Sequence, residues 1–219
     1  MSQYIKFENV HKSFKNEQIL KDVNFQLEEG KIYGFIGRNG SGKTVIFKLL
    51  TGLLRPTEGA IFLDGRNMTK EKGFPKSVGV LIETPGFIPH YSGIKNLQIL
   101  NGISKERADK ETIRESMTLV GLDPDNKKPV RTYSLGMRQK LGIAQAIMHK
   151  PKLLILDEPM NGLDEQSVVR MRAFLDKLRK EEQTTIILAS HNKEDIELLC
   201  DGLYAVRENT VIKLDEVKV

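Results

Sequence analysis

Residues 37 to 44 read GRNGSGKT, which fits the spacing G-x-x-x-x-G-K-[ST] of a phosphate-binding loop. Gly37, Gly40 and Gly42 let the backbone turn its N–H groups inward and approach phosphate oxygens closely. Arg38, Asn39 and Ser41 fill the loop between them, and Val45 leads on from it, so 37–45 is one candidate nucleotide site. Lys43 is suited to neutralise β- and γ-phosphates, and the Thr44 hydroxyl to ligate Mg²⁺. A second stretch, LLILDEP, carries Asp157 and Glu158 out at the end of an apolar run. Ligands of open α/β sheets bind at such strand ends. Asp157 suits holding Mg²⁺ through a water, and Glu158 accepting a proton from an attacking water. Ser190-His191 ends another apolar run, TTIILAS, which places His191 within reach of the same edge; the competing reading is a structural histidine. A third stretch, YSLGMRQKLGIAQAIMHK, reads as a helix with Ser134 and Gly136 at its start. Such an N-terminus attracts anions, because unpaired N–H groups and the positive end of the dipole point outward. One chain thus carries two anion sites.

The elements that must position these residues are readable from hydrophobic periodicity. Short β-branched and apolar runs recur as YIKFENV, KIYGFI, AIFLDG, SVGVLI, KLLILD, TTIILAS and LYAV. KLLILD and TTIILAS are too continuously apolar for a half-exposed strand, which predicts the middle of a sheet covered on both faces. Between them Val168, Met171, Phe174, Leu175 and Leu178 recur at helical spacing over 165–181, completing a strand, helix, strand unit. The strand KIYGFI precedes the phosphate loop and the helix TVIFKLLTGLL follows it. Residues 84–150 instead read as helices, GIKNLQILNGI, KERADKETIRESMTLVGL and the run after Ser134, inserted between the SVGVLI and KLLILD strands. Strands in the first third, with turns at Asn16 and around Gly65, predict an antiparallel sheet beside the main one. The fold expected is α/β, one domain over 1–219 with a helical insertion at about 84–150.

The 219 residues suffice for one large domain with a full core. A net charge of +5, from 34 Lys+Arg against 29 Asp+Glu, is spread along the chain and suits polyphosphates or a membrane surface. With no Trp there is little material for stacking bases, and no nucleic-acid partner is expected. The one cysteine, Cys200, has no partner for an internal disulfide and reads as a small core residue in a reducing compartment. No signal-peptide pattern and no 18-residue apolar run is present, so the expected location is cytoplasmic.

Taken together, the phosphate loop, YSLGMRQ, LLILDEP, NGLD and the terminal Ser-His pair resemble the nucleotide-binding subunit of an ABC transporter, over nearly the whole chain. The resemblance implies a P-loop NTPase core with an antiparallel β-subdomain and a helical subdomain, Mg·ATP as cofactor, and ATP hydrolysis coupled to transport. It also implies a head-to-tail pair in which Ser134, Gly136 and Met137 of one subunit face the γ-phosphate held by the other, which accounts for the second anion site. The pair is two copies of this chain or a mixed pair. On the same basis Phe14 stacks on adenine, or is a core phenylalanine; Glu83 stands where a glutamine usually touches Mg²⁺ and the attacking water; Asp164 belongs to the loop that crosses the interface; His191 is the switch histidine. The implied partner is an integral-membrane permease, with the subunit peripheral on the inner face of the membrane.

Two departures stand out. Tyr133, Leu135 and Met137 replace the first, third and fifth members of the usual Leu-Ser-Gly-Gly-Gln, and the Met137 side chain cannot copy the hydrogen bonds of a glutamine. Glu83 adds a negative charge beside Asp157 and Glu158. This glutamate, followed by TPGFIPHYSGIKNLQIL, is similar to ATP-binding subunits of the bacitracin-resistance and lantibiotic-immunity exporters. The apolar, turn-rich loop ETPGFIPHY either seats a helix of the permease through residues such as Phe87 or packs the insertion onto the core. Three other readings stand against transport: a soluble ABC-type ATPase acting on nucleic acid or ribosomes, a small-molecule P-loop kinase, and a regulatory subunit that binds ATP without splitting it.

Overall fold

Two long strands rich in β-branched and aromatic residues open the chain. β1 (Gln3–Phe14) buries Tyr4, Ile5, Phe7 and Val10, and β2 (Glu17–Glu28) buries Val23, Phe25 and Leu27 at a period of two while charged and amide side chains point out. The computed structural model describes residues 3–15, 17–71, 73–83 and 85–214, so the turn expected at Asn16 and the first residue of the insertion, Thr84, lie outside the described residues. β1 pairs with β2 and with β4 (Glu58–Leu63), which in turn pairs with the short β5 (Arg66–Asn67) across the turn at Asp64 and Gly65. This is the antiparallel sheet anticipated beside the main one.

The main sheet runs β10-β9-β3-β8-β7-β6, from β3 (Ile32–Ile36), β6 (Val78–Leu81), β7 (Leu153–Asp157), β8 (Thr185–Ala189), β9 (Gly202–Arg207) and β10 (Thr210–Leu214). All its pairings are parallel except that of β9 with β10. Register decides where the chemistry falls: Phe35 and Asp157 both lie opposite Ala189, so β3, β8 and β7 end in one row. The phosphate loop, Ser190-His191 and Glu158 all leave that row together.

Alternate residues of these strands serve two cores. On one face Phe35, Ile155, Ile187 and Tyr204 pack with α1 (Lys43–Leu50) and the antiparallel sheet, through Phe7, Phe25 and Phe47. On the other, Leu154, Leu156, Ile186 and Leu188 meet α5 (Glu165–Glu182), α6 (Lys193–Leu199) and the helical insertion. Each fully buried side chain of this size contributes about 1.5–3 kcal/mol. Cys200 packs against this second core, and burial pushes its thiol up to about 12, as suits an inert core residue.

The insertion holds α2 (Gly93–Ile103), α3 (Lys110–Leu119) and α4 (Leu135–Ile147), as expected, with shorter bounds. α3 starts late because Asp109 caps it, accepting from the Thr112 amide at 2.7 Å. α1 stops at Leu50 instead of reaching Leu54, since Gly52 turns left-handed at φ 72°. β2, β5, β10 and α6 were absent from the sequence expectations.

Candidate functional site

α1 begins at Lys43 with Gly42 as its N-cap at φ 107°, a conformation that favours glycine. No side chain caps this end and no acidic residue sits in its first turn, so the first N–H groups and the positive end of the dipole are left for an anion. Lys43 is 7% exposed, and its ammonium donates to the Gly37 carbonyl at 2.7 Å and the Arg38 carbonyl at 3.2 Å. Burial lowers its pKa, opposed by the charges of Asp157 and Glu158. The Ser41 hydroxyl is buried with no hydrogen-bond partner among the described residues. A buried hydroxyl of that kind wants an acceptor, which a phosphate oxygen would supply.

The Thr44 hydroxyl donates to Asp157 Oδ2 at 2.9 Å, so the two oxygen ligands expected for Mg²⁺ are in contact. Mg²⁺ characteristically takes one or two carboxylates together with substrate phosphates, and this pair beside a phosphate loop fits it. Among the described residues no cluster of three or more His, Cys, Asp or Glu offers an all-protein metal site. One helical turn beyond Thr44, Lys48 reaches Glu83 Oε1 at 2.5 Å. The added negative charge of Glu83 is therefore met by a cation that the sequence reading passed over. Its only local signal is the four-residue spacing from Thr44.

Glu158 sits at φ 53°, left-handed for a non-glycine residue, with its N–H donating to the Ala189 carbonyl at 3.0 Å. Its own carbonyl accepts from Gln139 Nε2 at 2.8 Å, a bond from α4 to the backbone of the acid that sequence reasoning also missed. The carboxylate takes the His191 backbone N–H on Oε2 at 3.3 Å. The His191 ring Nε2 lies 3.2 Å from Oε1 but is not aligned as a donor, and Oε1 is buried without a hydrogen-bond partner among the described residues. Burial raises the pKa of Glu158, opposed mainly by His191. A carboxylate oxygen that is desolvated and unsatisfied is well disposed to take a proton.

These groups line one cavity of about 570 Å³, of the size that holds a small cofactor. Phe14, residues 39–45, Glu83, Asp157, Glu158 and His191 all face it. Phe14 is 42% exposed, which removes the core reading of this ring; the Lys12 ammonium lies 4.7 Å from its centroid. Gly37 and Arg38 contribute the carbonyls behind Lys43. Leu135, Arg138 and Gln139 line the cavity from α4, whereas Ser134, Gly136, Met137 and Asp164 do not.

Those four gather in a neighbouring cluster. Ser134 caps α4, accepting from the Met137 amide at 3.1 Å. Asp164 caps α5, accepting from Ser167 N at 2.9 Å and Ser167 Oγ at 2.7 Å, and its pKa is lowered by those bonds. Between the caps, Gly136 lies against the backbone of Gly162: a Cβ at 136 would fall 2.5 Å from the Gly162 carbonyl oxygen. The replacement Tyr133 is also explained, since its buried hydroxyl accepts from the Gly93 amide at 3.3 Å and ties the start of α2 to this turn. Gly136→Ala should lower stability by about 1–3 kcal/mol, the usual cost of overpacking. A urea denaturation midpoint measures it; an unshifted midpoint would show that the two loops part freely.

Residues 20–161 match the family model described as ABC transporter. The chain is 41% identical over 218 residues to the bacitracin transport ATP-binding protein BcrA of Enterococcus faecalis, covering 97% of this chain and 69% of that protein. It is 37% identical over 211 residues to the lantibiotic transport ATP-binding protein SrtF of Streptococcus pyogenes, covering 95% and 89%. Among solved structures, the dimeric post-hydrolysis state of the ATP-binding cassette MJ0796 with ADP and phosphate superposes with a TM-score of 0.86 at 21% identity, covering 97% of this chain and 99% of that one.

Proposed function

Because the chain belongs to the ABC transporter family, we propose that it binds and hydrolyses Mg·ATP to drive a separate membrane permease, exporting a drug or antimicrobial peptide. The observation that carries this reading is the single cavity on which the phosphate loop, Asp157, Glu158 and His191 converge. Phe14 stacks on the adenine at the cavity wall. Residues 37–45 take the phosphates, Lys43 neutralising them and the α1 N-terminus adding its dipole. Thr44 and Asp157 hold Mg²⁺, which supplies Lewis-acid stabilisation of the phosphoryl oxygens. Glu158 accepts the proton of the attacking water through its unsatisfied Oε1, and His191 positions that carboxylate. Glu83, paired with Lys48 at the cavity wall, would lie on the metal side of the site.

Ser134, Gly136, Met137 and Asp164, outside the cavity of their own protomer, are assigned to the nucleotide of a paired ATPase subunit. Removal of the γ-phosphate on hydrolysis then loosens the pair. That relatives are named for bacitracin and lantibiotic transport favours this over a soluble ATPase working on nucleic acid or ribosomes.

No helix among the described residues is long and apolar enough to cross a membrane. The surface best suited to a permease is a groove of about 480 Å³ beside Pro85 and Gly86, lined in part by Leu53, Phe74, Leu100 and Ile103. Ile103 is 79% exposed there. Phe87 instead packs onto the helical core, and the loop around it is pinned by Asn96, whose Oδ1 accepts from the Ile88 amide at 2.7 Å. A charge at Phe87 would therefore damage the core as well as any docking, and the informative substitution is Ile103→Asp. Tagged Glu158→Gln chain, purified gently from native cells with Mg·ATP, is expected to bring down a polytopic membrane protein. Adding Ile103→Asp should lose that companion while fluorescent ATP still binds. Only soluble companions or ribosomes would overturn the transport reading; retention of the permease by Ile103→Asp would move the interface elsewhere.

A further inference from the structure

The loop that carries His191 is fastened to a group the site itself does not use. Asp195, in the first turn of α6, is 1% exposed. Its Oδ1 accepts from Arg172 Nε of α5 at 2.8 Å, and its Oδ2 accepts from the Ser190 hydroxyl at 2.8 Å. Ser190 is itself buried, and the same hydroxyl accepts from the Asn192 backbone N–H at 3.1 Å. Asn192 in turn caps α6, accepting from the Glu194 amide at 2.9 Å. One hydroxyl therefore grips the chain on both sides of His191 and ties it to a buried carboxylate, while His191 presents its backbone N–H and its ring to Glu158.

We propose that Ser190, anchored on Asp195, is a positioning residue that fixes the His191 backbone against Glu158 and so governs the rate of hydrolysis without contacting nucleotide. The inference rests on the assignment of Glu158 and His191 made above. The physical argument is one of geometry at a strand end. β8 stops at Ala189, and beyond it His191 is held by its own 3.3 Å backbone contact with Glu158 and, through the next residue, by the bond of the Asn192 amide to the Ser190 hydroxyl. Loss of that hydroxyl leaves Asp195 still paired with Arg172, so no buried charge is orphaned and the fold should persist. What is lost is the alignment of the histidine with the base, and small misplacements at a reacting centre carry large rate penalties.

The test is a variant series assayed for phosphate release and for fluorescent ATP binding. Ser190→Ala is expected to lower kcat about tenfold with KM and ATP affinity within about twofold of the parent, and Ser190→Thr, which keeps the hydroxyl, to recover most of the rate. In a His191→Ala background, which removes the ring but keeps the backbone N–H on Glu158, Ser190→Ala should cost less than it does in the parent. Hydrogen exchange, read without nucleotide, should quicken at the His191 and Asn192 amides in Ser190→Ala and stay unchanged in β7. Parent-like turnover of Ser190→Ala, failure of Ser190→Thr to recover it, a full additional loss in the His191→Ala background, or unchanged exchange would each overturn the proposal. Parent-like turnover of His191→Ala would overturn the site assignment beneath it as well.

Discussion

Glu158→Gln is expected to bind Mg·ATP about as well as the parent and to hydrolyse it at least roughly a hundredfold more slowly, the low end for loss of a general base. The substitution is nearly isosteric. The Gln139 bond to the residue 158 carbonyl and the Ala189 bond to its amide belong to the backbone and survive it. What disappears is the capacity of the unsatisfied Oε1 to take a proton. Binding is checked by fluorescent ATP titration and turnover by phosphate release; near-parent turnover would remove Glu158 from the mechanism. The same geometry fixes the direction of the pH response. Burial raises the Glu158 pKa, so the base is lost at a higher pH than an ordinary glutamate would be, and the acid limb of kcat should lie correspondingly high. Because His191 opposes that shift, His191→Ala should move the limb higher still.

Lys43→Ala should weaken ATP binding by roughly ten- to a hundredfold, the range set by one lost charge-assisted hydrogen bond at about 1.5–3 kcal/mol. Lys43 has two tasks. In the proposed role it would offer a buried cation to the phosphates, and it already gathers the Gly37 and Arg38 carbonyls. The alanine variant therefore loses an attraction and leaves two acceptors without their donor. Equilibrium titration decides: affinity within twofold of the parent would mean that the loop amides and helix dipole suffice alone.

The parts of this molecule that could be read in advance are those whose requirement is local. A phosphate loop needs its glycines, lysine and threonine at fixed spacing, and Asp157 and Glu158 announce themselves by ending an apolar run. The inserted helices showed as a stretch with no competing strand. By contrast, Lys48 meets Glu83 across 35 residues, and Gln139 meets Glu158 across 19. Neither pair follows any periodicity, because register between separate elements brings them together. Asp195 escaped for another reason: an acidic residue in a first helical turn looks like ordinary dipole compensation until its burial is known. β2 was obscured by Lys21, Asp22, Asn24 and Gln26, which interrupt its apolar residues in sequence yet simply face outward in the sheet.

The position of β3 also bears on the order in which the protein can be made. The strand that delivers the phosphate loop is flanked by β8 and β9, whose residues follow it by about 150 and 170 positions: Ile32 pairs with Ile186 and Tyr33 with Gly202. A ribosome releasing the chain from its N-terminus thus exposes the nucleotide loop long before either neighbour exists to hold it in register. Closure of so long a loop is entropically slow, and during that interval an apolar strand stands with both edges bare. The antiparallel sheet is favoured to form first, since its pairs lie within the first 67 residues. The full set of β3 pairings is therefore available only after synthesis has passed Ala205, the last residue that β3 takes as a partner.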